Sequence, residues 1–161
     1  MLNHSSFKRG REAEEEFIAL RGDNFLRRAT KQEDIHEHWD ILDKEFGRVD
    51  VKAAKGKWRN GGIDHTIWWE LKTVKRPPKY VSAKGWGVPN GIDRYIAITT
   101  EDSFYLVNPA KVIDKLREKC KKFYRGEFGL HTRDGRGDLT TILPLSFLQE
   151  YSDHRLERVA T

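Results

Sequence analysis

The stretch His38-Trp39-Asp40-Ile41-Leu42-Asp43-Lys44-Glu45-Phe46-Gly47-Arg48-Val49-Asp50-Val51-Lys52 decides the reading of this chain. Residues 36–44 and 47–54 alternate apolar and polar side chains with period two, the pattern of half-buried strands. The short Glu45-Phe46-Gly47 connection makes the pair an antiparallel hairpin. Trp39, Ile41, Val49 and Val51 then share a core face, while His38, Asp40, Leu42, Arg48, Asp50 and Lys52 take the other. A turn around Lys44–Phe46 sets Asp40 almost directly across from Asp50, at the few ångströms of cross-strand neighbours.

Two opposed carboxylates repel, so the pair needs compensation. A hard divalent cation such as Mg²⁺ supplies it through oxygen ligands. Lys52, two residues beyond Asp50, stands beside the same point, where a cation stabilises charge growing on a phosphate or orients an attacking water. The pattern points to metal-assisted phosphodiester hydrolysis. An exposed hairpin with a surface salt bridge is the alternative that these three residues leave open.

Working outward, residues 10–22 carry Ala13, Phe17, Ile18 and Leu20 at helical spacing, with Gly22 as a stop. After a loop over 55–62, Thr66–Val74 reads as a third strand, rich in β-branched and aromatic residues. Arg76-Pro77-Pro78 opens a long basic loop that runs through Gly85-Trp86-Gly87 to Gly91. Strands follow at Arg94–Thr100 and Ser103–Val107. A helix runs from Pro109 to about Cys120 with Val112, Ile113 and Leu116 inward. Arg133–Asp138 is a turn, and Leu139–Leu143 is a last strand leading into a short helix with Phe147 and Leu148. The order predicts an α/β (α+β) domain, a mixed sheet flanked by helices.

The motif Asp40, nine intervening residues, then Asp50-Val51-Lys52 resembles the signature of the PD-(D/E)XK nucleases. Its spacing is similar to that of the phage and archaeal Holliday-junction resolvases of that superfamily. Those enzymes carry a glutamate on the first helix, and Lys8-Arg9-Gly10-Arg11-Glu12-Ala13-Glu14-Glu15-Glu16-Phe17 resembles that segment. Matching the glycine to Gly10 puts the glutamate at Glu14, one turn before Phe17 and Ile18, with Glu16 and then Glu12 as alternatives. Two departures stand out: Trp39 replaces the proline before the first acid, and the second acid is Asp. The resemblance implies a restriction-endonuclease-like fold and a Mg²⁺-dependent endonuclease, with Mn²⁺ able to substitute. It also implies metal ligation by Asp40, Asp50, the Val51 carbonyl and Glu14, products with 5′-phosphate and 3′-hydroxyl ends, and a homodimer cutting two symmetric strands.

A rival register uses Asp50 as first acid with Glu70-Leu71-Lys72 as the acid-x-Lys strand. His36-x-His38 would lie on one strand face and suit a transition metal, but no further ligand has recognisable spacing. Lys8, Arg9, Arg11, Lys55, Lys57, Lys75, Arg76, Lys79, Lys84 and Trp86 are the expected DNA contacts, the aromatics stacking on bases.

Charge distribution fits such a partner. The net charge is +5, yet residues 12–50 hold 12 of the 25 acidic residues against six basic ones. Residues 51–84 reverse this with nine Lys/Arg against Asp64 and Glu70, and residues 111–125 add seven basic residues against two acidic ones. Basic surface binds nucleic acid through counterion release. Five Trp, eight Phe and five Tyr provide a core that a disordered chain lacks. No run approaches the ~18 apolar residues of a membrane span, the N-terminus has no signal-peptide apolar segment, and the lone Cys120 excludes an internal disulfide. The expectation is one domain over residues 1–161, cytoplasmic, or inside the host cell if phage-encoded.

Overall fold

The computed structural model describes residues 4–53, 66–75, 81–122, 124, 126–132 and 138–159, with backbone alone at 4–7, 73–75 and 81–83. In chain order the elements are α1 (His4–Arg21), β1 (Phe25–Arg28), α2 (Lys31–Glu37), β2 (Ile41–Asp43), β3 (Gly47–Ala53), β4 (Thr66–Lys75) and β5 (Val81–Lys84). Then come β6 (Arg94–Thr99), β7 (Ser103–Val107), α3 (Pro109–Leu116), β8 (Leu130–Thr132), β9 (Leu139–Pro144), α4 (Leu145–Glu150) and β10 (His154–Glu157). The α+β class is as expected. The chain gathers into two compact units: Met1–Asp64 with Ile92–Asn108 and Ser152–Thr161, and His65–Gly91 with Pro109–Tyr151.

The first unit holds a mixed sheet ordered β1-β2-β3-β6-β7-β10. β3 and β6 run parallel, with Val51 beside Ala97, and the other neighbours are antiparallel. Ala13 and Phe17 of α1 pack with Ile41, Val49, Val51, Ala97, Phe104 and Leu106 in one core cluster, and the Phe17 ring meets Phe104 edge-on at 5.3 Å. Gly22, at φ +53°, ends α1 in the left-handed region open to glycine. The β2–β3 turn is written in Asp43, whose buried Oδ1 accepts the N–H groups of Glu45 (2.9 Å) and Phe46 (3.0 Å). Arg21 anchors the same carboxylate at 2.7 Å.

Residues 36–44 are not a single strand. α2 occupies 31–37, started by a capping box in which Thr30 and Glu33 exchange side-chain and backbone hydrogen bonds. His38 caps its end in the left-handed region, φ 57°, leaving only Ile41–Asp43 as strand. His36 therefore lies on a helix and His38 at its cap, so the shared strand face proposed for a transition metal does not exist. Trp39 is buried but stands outside the cluster of Ile41, Val49 and Val51; its ring lies under the guanidinium groups of Arg27 (5.2 Å) and Arg48 (5.8 Å).

The second unit holds an antiparallel sheet ordered β5-β4-β9-β8. Part of the expected basic loop is thus strand β5, paired with the end of β4. Trp69 is fully buried, donates from Nε1 to the Gly87 carbonyl at 2.8 Å, and packs on Trp86 with ring centroids 4.9 Å apart. At Gly85 a Cβ would lie 2.5 Å from the Glu70 carbonyl oxygen, so the turn passes too close for any side chain. α3 stops at Leu116, short of Cys120, and buries Pro109, Val112 and Leu116. The short strands β1, β8 and β10 had no sequence expectation, and the turn over 133–137 lies outside the described residues.

Candidate active site

The β2–β3 register pairs Ile41 with Val49. One step outward, Asp40 therefore stands opposite Asp50. The Asp40 N–H donates to the Val49 carbonyl at 2.9 Å, and the Val51 N–H donates to Asp40 Oδ2 at 2.8 Å. This fixes the Asp40 carboxyl against β3. Asp50 is buried; Lys52 Nζ lies 3.3 Å from its Oδ1, while its Oδ2 has no hydrogen-bond partner among the described residues. The structure thus brings together the three residues of the hairpin motif.

Burial pushes the Asp40 carboxyl up to about 9, and the neighbouring Asp50 charge adds to the rise; Lys52 opposes it. Asp40 holds a proton at neutral pH in the metal-free protein, which is how two opposed carboxyls are tolerated without a cation. Arg94 is the site residue that the sequence reading missed. Its side chain is 1% exposed, and Nη1 lies 3.9 Å from Asp50 Oδ2. Removing one partner from a buried ion pair strands the other charge, at a cost of about 3–5 kcal/mol. Arg94→Met leaves Asp50 its ion pair with Lys52 and is accordingly expected to lower stability by up to about that amount in chemical denaturation. His38 also borders the site: burial, with Arg94 and Lys52 behind it, depresses its imidazole, against the opposing pull of Asp50 and Asp34.

Of the glutamates on α1, Glu14 is the one near the acidic pair. Burial raises its pKa, Arg28 at 3.0 Å lowers it, and the charges of Asp34 and Asp50 raise it again. Glu16 turns to a different set of partners, with Oε2 2.9 Å from Arg158, which also donates to the Thr100 carbonyl. Exposed Glu12 pairs with Lys8 at 4.0 Å. If the helix glutamate contributes to activity, Glu14→Gln is expected to lower turnover by at least about tenfold, and Glu16→Gln to cost stability with turnover intact. Steady-state rates set beside melting temperatures separate the two.

The strands of the rival register are not neighbours. β3 pairs with β2 and β6, whereas β4 pairs with β5 and β9. A register shift falls between Glu70 and Lys72, breaking the simple two-residue repeat. Glu70 Oε1 accepts the Trp86 N–H at 3.3 Å within the second unit, and Lys72 is exposed. Among the expected DNA contacts, Lys8, Arg11 and Lys84 are exposed and Arg9 is half-buried; Arg11 pairs with Glu15 at 3.6 Å. Trp86 is half-buried on Trp69. Lys55, Lys57, Arg76 and Lys79 lie outside the described residues, as does the Lys75 side chain.

Among the described residues, no three His, Cys, Asp or Glu side chains converge as a ready-made metal cage. Mg²⁺ does not require one, since it commonly takes one or two carboxylates and keeps its own waters. The opposed Asp40–Asp50 pair fits that demand. No helix of the described residues is long and apolar enough to cross a membrane. Comparison with protein-family models, with curated proteins and with solved structures finds no match to this chain.

Proposed function

We propose that this chain is a Mg²⁺-dependent DNA endonuclease of the PD-(D/E)XK kind. The observation that carries the reading is the facing of Asp40 and Asp50 across adjacent strands with Lys52 3.3 Å from Asp50. A mixed sheet with α1 packed on it is the scaffold that the resemblance asks for. Asp40, Asp50 and the Val51 carbonyl would hold the cation, with Glu14 reaching it directly or through its water. Mg²⁺ bound there supplies positive charge to the phosphate and acidifies a water.

The rest falls to the chain's own groups. Lys52 orients the attacking water and stabilises the extra negative charge of the pentavalent transition state. The water oxygen forms the new bond to phosphorus, and the bond to the 3′ oxygen breaks. That oxygen takes up a proton, leaving 5′-phosphate and 3′-hydroxyl ends. Arg94, with Nη1 3.9 Å from Asp50 Oδ2, sets a positive charge against Asp50 in the buried site. Branched DNA is the favoured substrate and a homodimer the working form, both by resemblance to junction resolvases.

A cleavage panel tests this reading: four-way junction, linear duplex, flap and single strand, each with Mg²⁺ and with Mn²⁺. The expected result is cuts that DNA ligase can reseal, concentrated on the junction. Cleavage of every substrate keeps the nuclease and removes the junction preference. No cleavage with either metal, together with salt-sensitive binding, would make the chain a non-catalytic DNA-binding module.

A further inference from the structure

The second unit carries a run of cations that the proposed hydrolytic site does not use. Between 115 and 122 stand Lys115, Arg117, Lys119, Lys121 and Lys122, with Glu118 the one acid among them. All five cations are exposed. In the first unit, basic side chains are largely committed to carboxylates: Lys8 to Glu12, Arg21 to Asp43, Arg27 to Glu33, Arg28 to Glu14, Arg158 to Glu16. In the run from Lys115 to Lys122, none of the five lies within ion-pair distance of a described carboxylate.

Aromatic faces hold three of them instead. Lys115 Nζ lies 5.6 Å from the Tyr151 ring centre, Lys119 Nζ 5.4 Å from Phe128 and 5.5 Å from Phe147, and Lys121 Nζ 5.1 Å from Tyr124. The rings form a continuous row, Tyr151 to Phe147 at 5.0 Å and Phe147 to Phe128 at 5.2 Å. A ring face orients an ammonium group without neutralising it. The charge stays available, and part of the side-chain ordering that binding would otherwise require is already done. A β-bridge between Lys121 and Gly129, with the Lys121 N–H donating to the Phe128 carbonyl at 2.9 Å, fixes the backbone under this row.

We infer that this surface of the second unit, centred on Lys115, Lys119 and Lys121, binds the phosphate backbone of duplex DNA. It is a non-specific docking surface, separate from the residues assigned to hydrolysis. The inference rests on the reading of DNA as the ligand. Contacts to phosphates position a duplex and carry no sequence information. The surface accordingly gives the same affinity for unrelated duplexes.

The test is fluorescence anisotropy of a labelled duplex in EDTA, titrated with salt, so that no cleavage enters. Each phosphate contact contributes about 0.9 to the salt slope, so Lys119→Gln/Lys121→Gln should lower the slope by about two and weaken binding at low salt about tenfold or more. Lys31→Gln/Lys44→Gln, on exposed residues of the first unit, removes the same charge and should leave the slope unchanged. Lys119→Arg/Lys121→Arg keeps the charge and should bind as the wild type does, which separates lost contact from lost folding. Wild-type slope in the Lys119/Lys121 glutamine variant, or an equal fall in the Lys31/Lys44 variant, overturns the surface and leaves the nuclease reading standing. Failure of the wild type to bind duplex at low salt also overturns the surface, while failure to bind either duplex or four-way junction overturns the DNA reading with it.

Discussion

Lys52→Ala is expected to lower DNA cleavage by about 10²–10³-fold or more while duplex affinity stays close to that of the wild type. A cation placed where charge develops in the transition state is worth that much when removed, because nothing else in the site takes over its task. Lys52 is a third exposed on β3, so truncating it leaves no cavity in the core and no buried charge without a partner. Asp50 keeps Arg94. At most one phosphate contact goes with the side chain, so the salt slope of binding falls by no more than about one. Single-turnover rates and anisotropy on the same preparation make the comparison. Equal loss of binding and cleavage would assign Lys52 to affinity and take it out of the chemistry.

The second large effect concerns Asp40 in the metal-free protein. Its carboxyl is raised from the ordinary 3.8 to about 9, by burial first and by Asp50 second. The folded state therefore binds a proton that the unfolded state has lost throughout the window between those values. Stability must fall as pH rises across it. Asp40→Asn removes the slope, because an amide has no proton to surrender. At pH 8 without metal the variant is expected to be more stable than the wild type by an amount on the order of 5 kcal/mol, or about ten degrees or more in melting temperature. At pH 4 the two should converge. Mg²⁺ should reverse the order at pH 8, since the cation takes the proton's place in the wild type and loses a ligand in the variant. Melting curves between pH 4 and 9, in EDTA and in Mg²⁺, decide it; parallel curves would mean that Asp40 is not held protonated by its surroundings.

The facing of Asp40 and Asp50 was legible because it depends on local features. Asp43 and Gly47 write a tight turn, and period two carries the register from Asp43–Gly47 outward to Asp40–Asp50. Glu14 was legible for a similar reason, as helical spacing puts it one turn from Phe17. Arg94 was not. Its proximity to Asp50 follows from the parallel pairing of β3 with β6, and that pairing joins segments more than 40 residues apart with no turn to announce it. The two-unit division was hidden in the same way, since each unit is assembled from separate stretches of chain. The start of α2 was legible in Thr30 and Glu33, which form a capping box, but the strand reading of residues 36–44 ran over its last turn and its cap. His38 in the left-handed region is the price of that abrupt helix end.

The claim on which everything else depends is that the Asp40–Asp50 pair is a divalent-cation site, and it can be tested without knowing the substrate. The measurement is the melting temperature of wild type and Asp50→Asn, with excess Mg²⁺ and with EDTA. A ligand at about 100 times its dissociation constant stabilises by about 2.7 kcal/mol, which for a chain of this size is a rise of about 5–10 °C. The account predicts that rise in the wild type and its loss in Asp50→Asn. An unchanged wild-type melting temperature, or an equal rise in Asp50→Asn, would contradict it.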